Sequence, residues 1–138
     1  MGRIAGLAVV MLATCLVFGC APVPLVDVKH EAVVRDDGNT LSLTDMERAI
    51  RLGAYDEQWL LHAAGPSHFV ATKHADDDSW TLTVDIRYTA HDFSIEYQSS
   101  KGLNFKPQTR TIAFHGRGEL SDLHSTIEDE IQEVVPGG

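Results

Sequence analysis

Cysteine is nearly absent from this chain. The two residues, Cys15 and Cys20, both fall in the first twenty of 138 positions. No disulfide framework can be built downstream of them, and thiolate-rich zinc sites are excluded for the same reason. Positive charge is also scarce, with 11 Lys and Arg against 20 Asp and Glu. That balance argues against nucleic acid as a partner and against flat adsorption to anionic lipid. Catalytic punctuation is missing too: there is no Gly-rich phosphate loop, no serine on a nucleophile elbow, and no HxxxH or HExxH pair. Asp36-Asp37-Gly38-Asn39 lacks the later ligands and terminal glutamate of a calcium loop. The longest apolar run, Ile4 to Gly19, has 16 residues, short of the roughly 20 that cross a bilayer comfortably.

That run is what the chain does have. Met1-Gly2-Arg3 supplies one positive charge, the apolar stretch follows, and small residues lead to Cys20, the layout of a secretory signal. From the residues alone, Cys20 could also be an ordinary cysteine past a cleaved signal, or the run a retained anchor. Ala21-Pro22-Val23-Pro24 does not read as a stop-transfer flank. Val17-Phe18-Gly19-Cys20 resembles the lipobox of bacterial lipoproteins, with Phe18 bulkier than the residue usual at that place. The resemblance implies cleavage before Cys20, a diacylglycerol on its thiol and a further acyl chain on its new amino group. Cys15 would be discarded with the signal. Three acyl chains exceed the two signals that stable attachment requires. Ala21, rather than aspartate, resembles the signal for passage to the outer membrane. The expected location is therefore the outer membrane, lipid-anchored on the periplasmic face.

Removing residues 1–19 leaves 119, with 10 basic and 20 acidic side chains. One small domain is expected. Residues 20–41 read as the acylated cysteine and a flexible tether, because two prolines and the 36–39 turn cluster interrupt it; Val26–Val34 could alternatively form an edge strand. Thr44 and Glu47 have capping-box spacing, and Met46, Ala49, Ile50 and Gly53 share one face of the helix that follows. Trp59–His62 and Phe69–Lys73 read as short strands. Trp80, Leu82, Val84, Ile86 and Tyr88 alternate with polar residues, and Phe93, Ile95 and Tyr97 continue that pattern after a turn. The two are expected as hairpin partners, with Asp85 or Arg87 near Glu96. Glycines at 102, 116 and 118 break the next stretch, and Leu120, Leu123, Ile127 and Ile131 set the stripe of a final helix. These elements predict an α+β, two-layer domain over 42–135. It has an antiparallel sheet of three to four strands, with an N-terminal and a C-terminal helix packed on one face.

Phe93-Ser94-Ile95-Glu96-Tyr97-Gln98-Ser99-Ser100-Lys101-Gly102-Leu103-Asn104-Phe105, the later Phe114-His115 and the amphipathic end resemble a group of small, largely uncharacterised lipoproteins of Gram-negative bacteria. Ser94, Ile95, Tyr97, Ser100 and Leu103 match the group's pattern; Ser99, Gly102 and Phe105 depart from it. The likeness runs from about Thr44 to Ile131. It implies the α+β fold and an envelope location, and carries over no catalytic or ligand residue.

Within 99–105, Ser99 and Ser100 can bond their own backbone and Gly102 can take positive φ, which reads as structural before it reads as a ligand loop. The seven histidines, His30, His62, His68, His74, His91, His115 and His124, lack close pair spacing. His74 beside Asp76–Asp78 and His91-Asp92 read as solvated turns, and His62 and His124 as boundary residues. No metal, cofactor or catalytic residue is expected; the one site residue is Cys20, through lipidation. The expected function is non-enzymatic: a lipid-anchored envelope protein of structural or interaction type, with membrane lipid and an envelope protein as partners. A partner segment would dock on an open sheet edge. The alternative is a small ligand-binding or sensing module with a pocket lined by Trp59, Trp80, Tyr88 and Tyr97. Intact-mass analysis of the membrane fraction should show the acyl additions on Cys20, and Cys20→Ala should abolish them and release the protein from the membrane.

Overall fold

The computed structural model describes residues 21–137; the expected signal segment 1–19 and Cys20 lie outside the described residues. The elements in order are β1 (Val23–Pro24), β2 (Val28–Ala32), α1 (Leu43–Asp56), β3 (Leu60–Gly65) and β4 (His68–His74). They continue with β5 (Thr81–Tyr88), β6 (Asp92–Lys101), β7 (Thr111–Ile112) and α2 (Phe114–Glu133). The fold is α+β. Its five-stranded antiparallel sheet has the order β2-β6-β5-β4-β3, and β1 and β7 make a second, two-stranded sheet.

The alternation in β5 works as the sequence requires. Leu82, Val84, Ile86 and Tyr88 are buried, and Ile86 sits between Phe69 of β4 and Ile95 of β6 in register. These side chains share one core with Met46 and Ile50 of α1 and Leu123 and Ile127 of α2. The expected hairpin of β5 and β6 forms, with Asp85 directly opposite Glu96. That like-charged pair is relieved by His68 Nε2, 2.7 Å from Asp85 Oδ1, and by the Gln98 amide.

Three expectations need correction. First, the sheet has five strands instead of three or four, because residues assigned to the flexible tether are docked. Val23–Pro24 pairs with Thr111–Ile112, and Val28–Ala32 pairs with β6 as an edge strand. Leu25 and Leu41 are buried, so burial outweighs the prolines and the turn cluster. Second, the cap of α1 is Ser42, two residues before Thr44. Ser42 Oγ accepts from Asp45 N, and Asp45 accepts from Ser42 N. Both spacings fit a capping box, and tertiary partners choose between them: Asp45 also accepts from Gly137 N at 3.1 Å and from Arg48. Third, α2 starts six residues before Leu120 and passes through both glycines. A Cβ on Gly116 would come within 3.1 Å of Leu103 and 3.2 Å of Ile112, so the small residue serves close packing rather than ending the helix.

The far end of α2 is held by Arg35. Its guanidinium donates through Nη1 to the carbonyls of Ile131 (2.6 Å) and Val134 (2.8 Å), and through Nε and Nη2 to the Asp37 carboxylate. No basic residue occupies the last turn of α2 itself, so this cation supplies both the missing hydrogen bonds and the complement to the helix dipole. Gln132 adds a second tie, accepting from Asp36 N and donating to Val34 O.

Two predictions follow from these contacts. Gly102 has φ +72°, and a Cβ there would stand 2.2 Å from Ser79 O. Gly102→Ala should therefore lose more than about 1 kcal/mol in urea unfolding. The Asp45 carboxyl is held below its ordinary value, chiefly by the Ser42 backbone N–H, with burial opposing. A depressed folded value means stability present above the unfolded pKa of about 3.9 and lost as pH falls through the folded one. The gap in urea midpoint between wild type and Asp45→Asn should therefore be widest at neutral pH and close in acid.

Candidate functional site

The place where the alternative, a ligand-binding module, would need its aromatic pocket is filled. Trp59 and Tyr88 are 4% and 6% exposed, and Trp80 and Tyr97 pack against the same core. The Ser99–Phe105 segment is also committed to packing. Tyr97 and Phe105 rings are 4.2 Å apart, Tyr97 Oη bonds Ser100 Oγ at 2.8 Å, and Leu103 is fully buried. Burying one leucine contributes about 2 kcal/mol, which accounts for this stretch without a ligand.

The histidines scatter over the surface. His74 contacts Thr81 Oγ1 at 3.2 Å instead of the Asp76–Asp78 turn, where Asp77 accepts from Ser79 N. The carboxylate of Asp92 faces His30 at 3.7 Å and takes the Thr89 hydroxyl. His62 is exposed on β3, and His115 is exposed with its ring 6.0 Å from Trp80. His68, half-buried and bound to Asp85, and His124 are the exceptions.

The open concavity lies between β2 and α2. It has a volume of about 450 Å³, with Val28, Ile95 and Leu120 as apolar wall and Lys29, Arg117 and Ser121 among its polar lining. Two local features build it. On α2, Arg117, Ser121, His124 and Glu128 recur at four, three and four residues, forming a polar stripe beside the buried Leu120–Leu123–Ile127–Ile131 stripe. On β2, the register shifts between Val28 and Glu31. An odd spacing of three would place these two on opposite faces of a regular strand. With the bulge, Val28 is opposite Ile95 and Glu31 opposite Phe93, so both face the helices. His30 adopts φ +47° to make this turn, and its N–H is held by the buried Ser94 Oγ at 2.9 Å.

Glu31 is thereby aimed at His124. His124 Nε2 contacts Glu31 Oε2 and, at 2.5 Å, Glu128 Oε1. The side chains are 26%, 35% and 48% exposed for His124, Glu31 and Glu128. The His124 ring lies 5.9 Å from that of Phe93. A second groove of about 190 Å³ is lined by Glu31, Val34, Phe93, Glu128 and Gln132. Both carboxylates address the same ring nitrogen, and Ser121 makes no hydrogen bond with the ring.

Sequence reasoning placed His124 correctly at the core boundary and missed its neighbours. His124 and Glu128 are one helical turn apart, a signal present in the sequence. Glu31 is 93 residues away and is brought in by a bulge, which no spacing reveals. Cys20 lies outside the described residues, and no helix among the described residues is long and apolar enough to cross a membrane. Compared with known protein families, curated proteins and solved structures, the chain matches none of them.

Proposed function

We propose that the chain is a lipid-anchored, non-enzymatic envelope protein that binds an extended partner segment along the free edge of β3. The lipobox-like Val17–Cys20 supports the anchor. The observation that carries the docking site is the difference between the two edges of the five-stranded sheet. The β2 edge holds Lys29 and Glu31 and is broken by the bulge, devices that discourage strand addition. The β3 edge reads Leu60-Leu61-His62-Ala63-Ala64-Gly65, without a formal charge, and Leu60 is 59% exposed. Its interruption comes only at the far end, where the register shifts between Ala63 and Gly65. Backbone hydrogen bonds along such an edge give affinity, and alternate side chains give specificity.

The alternative, a small periplasmic binding module, draws on the groove between β2 and α2 rather than on the filled aromatic core. Docking at β3 is preferred because its edge carries no formal charge and exposes Leu60.

A photoreactive side chain placed at His62 in intact cells should yield a discrete envelope-protein adduct. Leu60→Lys with Ala64→Lys should remove that adduct while shifting the melting temperature little, since both positions are exposed. An adduct that persists unchanged in the double variant, or no adduct in the wild type, would overturn docking at β3.

A further inference from the structure

We infer that Glu31, His124 and Glu128 form a binding site for a zinc-type divalent cation at the wall of the β2–α2 groove. Their ligand atoms all lie within 4.8 Å of one another. They come from two elements packed against each other, His124 and Glu128 from α2 and Glu31 from β2.

Charge and proton count favour a cation over a plain ion pair. Nε2 of His124 carries at most one proton, yet two carboxylate oxygens face it. With that proton in place the trio still carries a net negative charge, and one carboxylate lacks a hydrogen to accept. A divalent ion bound by two carboxylates and a neutral imidazole is balanced, and every facing lone pair has a partner. One nitrogen donor with two oxygen donors suits zinc better than calcium or magnesium, which favour all-oxygen shells. Three protein ligands leave a fourth position for water on the groove side, the arrangement of open zinc sites.

Accommodation of the ion is a side-chain matter. Donors around a four-coordinate zinc, with bonds of about 2 Å, stand roughly 3.3 Å apart. Glu31 and Glu128 would each withdraw by about 1 Å from their present contacts with His124, small rotations for side chains 35% and 48% exposed. The backbone is already arranged for it: the β2 bulge turns Glu31 toward α2, and its His30 amide is pinned to Ser94. Lys29 and Arg117 also line the groove and would attract an anionic group to the open position.

The test is a titration of the full chain, purified in detergent and stripped with a chelator. Co2+ should bind at one equivalent with the strong visible absorption of a four-coordinate ion, and Zn2+ should displace it. Glu128→Gln, nearly isosteric and on the surface, should melt like the wild type while weakening binding at least about tenfold. His124→Ala should abolish the cobalt spectrum, and His115→Ala, in the first turn of α2, should leave it unchanged. Absence of a four-coordinate spectrum in the wild type would overturn the site and leave the trio an ion pair. Equal binding by the wild type and Glu128→Gln would do the same, by placing the ion elsewhere.

Discussion

The geometry of this domain depends on one guanidinium. Arg35, with a side chain only 5% exposed, joins the segment after β2 to the end of α2, 96 and 99 residues later. Four of its five N–H donors are fixed in direction: two on the Asp37 carboxylate and the two of Nη1 on one helix carbonyl each. Asp37 is in turn held well below the usual carboxylate range, first by its hydrogen bond with Arg35. The planar fork sets the rotation of α2 as well as its position. With that rotation Leu123 and Ile127 point into the core and the polar stripe of His124 and Glu128 turns to β2. Lysine could supply the charge there but not the two-sided orientation.

The α1–α2 contact shows the apolar counterpart of that constraint. Gly53 faces Ile127 so closely that a Cβ would lie 2.9 Å from Ile127 Cγ1 and 3.1 Å from its Cα. The helices therefore meet through backbone on one side and a branched side chain on the other, which leaves little freedom to slide. By comparison, the exposed Arg51–Glu47 pair on α1 contributes only about 0.3–0.5 kcal/mol.

Periodic features were legible in the sequence because they depend on neighbours at two, three or four residues. The β5 alternation, the Met46–Gly53 face and the α2 stripe are all of this kind. What was not legible depended on distant partners. Ser42 prevails over Thr44 as cap because Asp45 also receives Gly137. The choice between tether and edge strand, which the sequence leaves open for Val26–Val34, goes to the strand because β6 offers an edge. Gly116 sits inside a helix where Leu103 and Ile112 pack closely against it. The candidate cation site combines both cases: its helical pair is visible in the sequence, and its third member is supplied by a register shift.

The early docking of the chain has a consequence for how a tethered domain would meet its partner. Pairing begins at Val23, so with an anchor at Cys20 only Ala21 and Pro22 remain between lipid and fold. Two residues reach at most about 7 Å, and one of them is a proline. The body would then ride at a nearly constant height above the bilayer, unable to sweep the space around it. Encounter would then become a lateral search in two dimensions, and only partners presenting a segment at that height would be met.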